Sequence, residues 1–130
     1  MIPEKFNDLL SDEKKALLFL GVTLADGSPH VTPVWFKYDG EYIIINSARG
    51  RVKDRAMRAR PYVAATIGDR DDIYNWVQIR GPVVEITEEN AFDMICELSL
   101  KYRGTRNYPK REGEVRVTYK IKPEKVTPRA

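Results

Sequence analysis

With 130 residues, 42% of them apolar, the chain can bury one hydrophobic core but not two, so a single domain is expected. Cys96 is the only cysteine, which excludes an internal disulfide, a thiol pair for redox exchange and a thiolate metal cluster. The net charge of +3, from 22 Lys+Arg against 19 Asp+Glu, is modest, so the distribution of cations matters more than their sum.

Residues 3–10 have Phe6, Leu9 and Leu10 at helical spacing, and Ser11 before Asp12 and Glu13 has the form of a second helix start. The pattern then changes to β. Runs over 17–25, 29–38 and 41–47 are separated by Asp26-Gly27 and Asp39-Gly40, and Asp-Gly between apolar runs is a strong hairpin signal. Three antiparallel strands in a meander are predicted. The longest apolar stretches, around 16–25 and 42–45, are too short to span a bilayer, and Met1-Ile2-Pro3-Glu4-Lys5 lacks a leader's apolar segment. The expectation is a soluble cytoplasmic protein with no membrane partner.

A short helix is predicted over 50–60, where Val52, Ala56 and Ala59 recur at helical spacing and Pro61 marks the end. Strands follow over 62–67 and 76–86, and Gly81-Pro82 predicts a bulge or an edge in the second of them. Thr87 is positioned to cap a helix running to about Lys101, with Glu88 and Glu89 in its first turn and Cys96 as a small buried residue. The charged, Gly- and Pro-containing stretch 103–113 reads as a loop. From Val115 to Lys122 apolar and polar residues alternate, which predicts a half-buried strand. Six strands, the first three too tightly joined for parallel crossovers, favour a small antiparallel barrel over a doubly wound sheet.

Most familiar catalytic sets are missing. His30 is the only histidine, and no Walker or Rossmann glycine loop is present, so an enzyme built on this chain needs a cofactor to bring the reactive group. The main anomaly is the stretch 47–60, where Arg49, Arg51, Lys53, Arg55, Arg58 and Arg60 face the single acid Asp54 at the junction of a strand end, Gly50 and a helix start. A hydroxyl (Ser47), free N–H groups and cations at such a junction suit a phosphate. A solvated basic face or a nucleic-acid patch suits the same charges equally well. The second anomaly is Val31-Thr32-Pro33-Val34-Trp35-Phe36, a strand with a proline and an indole against which a planar ring could pack.

Residues 27–36, Asp39-Gly40, Arg51-Val52-Lys53-Asp54-Arg55 and Arg60-Pro61, in that order and spacing, resemble the pyridoxamine-5′-phosphate-oxidase-like superfamily, and more narrowly its flavin/deazaflavin oxidoreductases of group B, the F420-dependent type. The tail, with Lys101-Tyr102-Arg103-Gly104 and a last strand ending at Val126, is similar too. The resemblance implies a mainly β fold, a six-stranded antiparallel split β-barrel of the FMN-binding type with a few helices. It also implies a homodimer with the coenzyme in a groove between subunits and a small-molecule substrate. Carried over by position, Arg51, Lys53 and Ser47 match the phosphate site. Thr32, Pro33, Val34 and Trp35 match the strand along the ring system, and Trp76 and Gln78 the partner subunit's wall. Where an Asn commonly follows the helix-start cations, Arg55-Ala56-Met57 stands here. The Arg-Leu-x-Pro motif of true pyridoxamine-phosphate oxidases does not occur. The implied activity is hydride transfer between coenzyme F420 and a small conjugated organic substrate; F420, with its acidic glutamyl tail, is favoured over FMN, the alternative cofactor, because the basic set extends from Arg49 to Arg60. A non-catalytic flavin carrier is a competing expectation. A nucleic-acid-binding barrel is disfavoured because Trp35 and Phe36 have apolar rather than cationic neighbours.

Overall fold

The computed structural model describes residues 2–128. Its strands are β1 (Leu17–Thr23), β2 (Pro29–Val34), β3 (Phe36–Tyr38), β4 (Ile43–Ala48), β5 (Tyr62–Gly68), β6 (Trp76–Thr87), β7 (Arg116–Ile121) and β8 (Lys125–Pro128). Three helices accompany them: α1 (Asn7–Leu10), α2 (Val52–Ala59) and α3 (Ala91–Arg103). The strands run in the order β2-β1-β5-β6-β7-β4-β3, with β8 added to β6, and every pairing is antiparallel. The outermost strands of this path, β2 and β3, are consecutive in the chain and joined by Trp35 alone. The sheet therefore curls so that its two ends meet at one residue, giving the half-barrel of the split-barrel fold.

Both Asp-Gly hairpins form, and for the expected reason. The Asp26 carboxylate accepts the Ser28 N–H (2.9 Å) and the Asp39 carboxylate those of Glu41 and Tyr42, while Gly27 and Gly40 take positive φ at the turns. The three-strand meander does not form. β2 pairs with β1, but β3 pairs with β4 in the other half of the sheet, so the run 29–38 is two strands. That break and the pairing of β8 with Val77–Arg80 of β6 raise the strand count from the expected six to eight.

β6 holds the halves together, pairing β5 through Pro82 and β7 from Val83 onward. Gly81-Pro82 does not interrupt it; the register shift falls between Val83 and Glu85. Glycine is required at 81 because a Cβ there would lie 1.7 Å from the Lys122 carbonyl oxygen. Ser11 does not start a helix. Its hydroxyl donates to the Asp8 carbonyl (2.7 Å) and so closes α1. Thr87 accepts the Glu89 N–H (3.1 Å), but α3 begins only after Asn90, which takes a left-handed φ of 57°.

The core lies inside the curl, with Leu18, Leu20, Phe36, Ile45, Ile79 and Tyr119 among its fully buried side chains; each such side chain stabilises the fold by about 1.5–3 kcal/mol. α2 inserts Met57 into it and packs on β1 and β4, while α3 packs on β7 and β4. β7 is not half-buried as its alternation predicts: Arg116 and Thr118 are buried as well as Val117 and Tyr119. No helix among the described residues is long and apolar enough to cross a membrane.

Candidate functional site

β4 runs buried to its end at Ala48, and the chain then turns through Arg49-Gly50-Arg51 into α2. Gly50 takes a φ of +90°, and the buried Asp54 carboxylate holds the turn by accepting the Gly50 N–H (2.9 Å). Burial works to raise the Asp54 pKa, but donors outweigh it and leave the carboxyl below its ordinary range: the Tyr119 hydroxyl (2.6 Å), the Gly50 N–H and Arg58 Nε (3.0 Å). The one acid of the basic stretch is thus the brace that ties α2 to β7.

This turn places Ser47, Arg51 and Lys53 on a cavity of about 240 Å³, which Pro33, Val34, Trp35, Asn46, Ile95 and Tyr108 complete. The Ser47 hydroxyl is buried with no hydrogen-bond partner among the described residues. Lys53 is half-buried, with no hydrogen bond or ion pair among the described residues. Burial, then the like charges of Arg51 and Arg116, lower its pKa. Arg51 reaches Glu114 (3.2 Å), a carboxylate that also serves Arg116 (3.3 Å) and Arg111 (3.8 Å). Arg116 is buried, donates from Nε to Asn46 Oδ1 (2.9 Å) and lies under the Tyr108 ring at 5.5 Å. Asn46 Nδ2 in turn donates to the Ala91 carbonyl (2.8 Å) and Thr118 Oγ1 (3.0 Å). Cations gathered around a single carboxylate, beside an orphaned hydroxyl, leave positive charge in excess; a phosphate group fits this donor set.

The remaining cations of the stretch point elsewhere. Arg49 pairs with Glu88, Arg55 donates to the Gly50 carbonyl, Arg58 to Asp54, and Arg60 Nε to the Thr23 carbonyl (2.6 Å). Of the nine residues singled out in the sequence, six line this cavity: Pro33, Val34, Trp35, Ser47, Arg51 and Lys53. Thr32 does not; it sits opposite Leu20, its hydroxyl buried without a partner among the described residues. Trp76 and Gln78 line a different cavity, of about 460 Å³, with Leu17, Phe19, Thr66, Arg70 and Ile73. Sequence reasoning missed Asn46, Tyr108, Ile95 and Arg116. For Arg116 the alternation of β7 suggested solvent exposure, and no local signal shows that α3 covers that face.

Trp35 is fixed between aromatic rings. Tyr102 stacks on it at 5.5 Å with planes 8° apart, and Tyr108 meets it edge-on at 6.3 Å. The Tyr102 hydroxyl donates to the Ala16 carbonyl (2.8 Å), so α3 holds the joint between β2 and β3. Next to it Lys101, its side chain fully buried, donates to the Phe36 carbonyl (2.7 Å) and faces the Phe36 ring at 3.9 Å. Burial lowers the Lys101 pKa to about 8, an effect that Lys37 adds to and Asp12 opposes. Beside Pro33, Val34 and Trp35 a further cavity of about 360 Å³ is lined by Leu17, Arg70, Tyr102 and Arg103. The three cavities share lining residues in succession, so they form one band from the β4–α2 junction to the outer face of β1, β5 and β6.

The sequence profile described as Pyridoxamine 5'-phosphate oxidase matches residues 2–129. Among solved structures, an F420 reductase is similar with a TM-score of 0.86 and 28% identity, over 97% of this chain and 98% of that one. HupZ of Group A Streptococcus is similar with a TM-score of 0.70 and 19% identity, over 97% and 92% of the two chains. The conserved hypothetical protein Rv2991 from Mycobacterium tuberculosis has a TM-score of 0.73 and 20% identity, over 97% and 83%. The last two likenesses show the fold alone. No curated protein matches the chain.

Proposed function

Because the chain belongs to the pyridoxamine 5'-phosphate oxidase family, whose fold is of the flavin- and deazaflavin-type oxidoreductases, we propose that it is an F420-dependent oxidoreductase acting on a small conjugated organic substrate. The observation that carries this reading is the cavity at the β4–α2 junction, where the unpartnered Ser47 hydroxyl and Lys53 lie with Arg51. These three residues would hold the coenzyme's phosphate, with Arg116 adding positive charge from behind. Pro33 and Val34 would flank its ring, and Trp35, with Tyr102 stacked on it, would keep that wall rigid. When bound, the coenzyme supplies a ring that carries a hydride. This chain's residues contribute orientation, exclusion of water and electrostatics; no side chain on the cavity is assigned as proton donor.

The preference for F420 over FMN rests on the 28% identity to an F420 reductase. The length of the basic stretch does not support it, because Arg49, Arg55 and Arg58 are bonded within the protein. We further propose a cytoplasmic homodimer. Its interface would be the outer face of β1, β5 and β6, where Leu17, Phe19 and Ile73 are exposed and from which the partner's Trp76 and Gln78 would complete the groove. Titration of the purified protein with F420 and with FMN tests the coenzyme. F420 is expected to bind more tightly, and its reduced form to reduce a conjugated acceptor. Tight binding of FMN with no binding of F420 would move the assignment to an FMN-dependent oxidoreductase.

A further inference from the structure

We propose that Arg70 and Arg103 form a carboxylate-binding subsite, and that the substrate is a flat, largely apolar molecule that carries a carboxylate. The inference deepens the proposed oxidoreductase reading and rests on it. Arg70 lies in the turn after β5 and Arg103 is the last residue of α3, yet both line the one cavity beside Pro33, Val34 and Trp35. Neither has a hydrogen bond or ion pair among the described residues. Among the other described arginines only Arg80 shares that condition. Arg106 and Arg111 in the neighbouring loop are bound to Asp93 and Glu114, and the cations of α2 have partners except Lys53 on the phosphate cavity.

No carboxylate lines this cavity, and Asp69, adjacent to Arg70 in sequence, is held by Lys14 (3.0 Å), the Asp71 N–H (2.9 Å) and Asn75 (3.3 Å). Two guanidiniums brought to one concave surface repel each other, and an anion between them removes the repulsion; a carboxylate accepts their paired N–H donors in a planar, two-pronged geometry. The rest of the lining, Leu17, Pro33, Val34, Trp35 and Tyr102, is apolar or aromatic, and the stacked Trp35–Tyr102 pair makes one wall flat and stiff. Pro33, Val34 and Trp35 also line the phosphate cavity, so a molecule seated here shares a wall with the proposed coenzyme site.

A carboxylate could reach this subsite on the substrate or on the acidic glutamyl tail of F420, and the experiment separates the two. Naphthalene-2-carboxylate and its uncharged amide serve as probes, titrated into the parent and into R70Q/R103Q, alongside F420 and FMN. Both side chains are exposed, so the variant is expected to melt with the parent. The parent should prefer the carboxylate over the amide by about tenfold or more, and the variant should lose that preference with F420 and FMN affinities unchanged. If instead F420 affinity alone falls about tenfold while FMN affinity stands, the subsite is real but takes the coenzyme's tail, which overturns the substrate assignment. Equal binding of carboxylate and amide by the parent, with no ligand weakened in the variant, would overturn the subsite altogether. A parent that binds neither F420 nor FMN would refute the oxidoreductase reading and is told apart by that result.

Discussion

The two ends of the cavity band are built from opposite materials. At the β4–α2 junction the polar groups are drawn inward: Ser47 is 2% exposed without a partner, Arg116 is 7% exposed, and Lys53 lies beside like charges. On the outer face of β1, β5 and β6 the apolar groups are turned outward, with Phe19 41% and Ile73 76% exposed. A buried polar atom without a partner calls for a ligand that brings charge, whereas an exposed apolar side chain calls for a surface that brings carbon. The proposed dimer, in which one subunit's apolar face would cover the other's coenzyme, would answer both needs at once.

The largest expected effect removes both ends together. Gly81→Ala puts a methyl 1.7 Å from the Lys122 backbone oxygen, at the corner where β6 passes from one half of the sheet to the other. We expect a loss of about 3 kcal/mol or more in denaturant unfolding, enough to prevent soluble expression of a marginal domain. A variant that melts with the parent would show that this corner can yield.

A narrower change separates the ends. Arg51→Ala with Lys53→Ala should weaken coenzyme binding by roughly 1.5–3 kcal/mol per lost charge-assisted contact while melting temperature and oligomeric state stay as in the parent. Unchanged affinity for F420 and FMN would reduce the junction to a solvated basic surface. The converse variant, Phe19→Asp, charges the apolar face and leaves the junction untouched. Light scattering should then report the mass of one 130-residue chain where the parent gives two, with coenzyme binding weakened as a consequence. A parent that is already monomeric would dissolve the comparison.

The smallest effect concerns the joint between the ends. Lys101 titrates near 8 in the folded protein against about 10.4 for a free lysine, so between those values the unfolded chain holds a proton that the folded one lacks. Stability should therefore climb as pH rises from about 8 toward 10, by at most about 1.4 kcal/mol per pH unit. Lys53, also lowered, adds with the same sign. Tyr102 and Tyr119, whose phenols burial pushes up, subtract above about pH 10. Lys101→Met should flatten the rise; a slope equal to the parent's would assign it to other groups.

Chain-local chemistry made much of this protein legible in its sequence. An Asp-Gly turn is closed by its own carboxylate and glycine, so the hairpins at 26–27 and 39–40 were readable residue by residue, as were the spacing of α2 and the packing of Cys96 on α3. The resemblance carried by residues 27–36 and 51–55 led to the fold family and to six of the residues on the first cavity. The tertiary structure decided what depends on distant partners. Trp35 divides 29–38 because β1 and β4, on either side of it in the chain, lie in opposite halves of the sheet path and each takes one part of the run as its partner. Arg116 is buried because α3 covers β7, and alternation identifies two faces of a strand but not whether both are covered. Arg49 and Arg60 are engaged by Glu88 and the Thr23 carbonyl, groups some forty residues away in the chain that only folding brings to them.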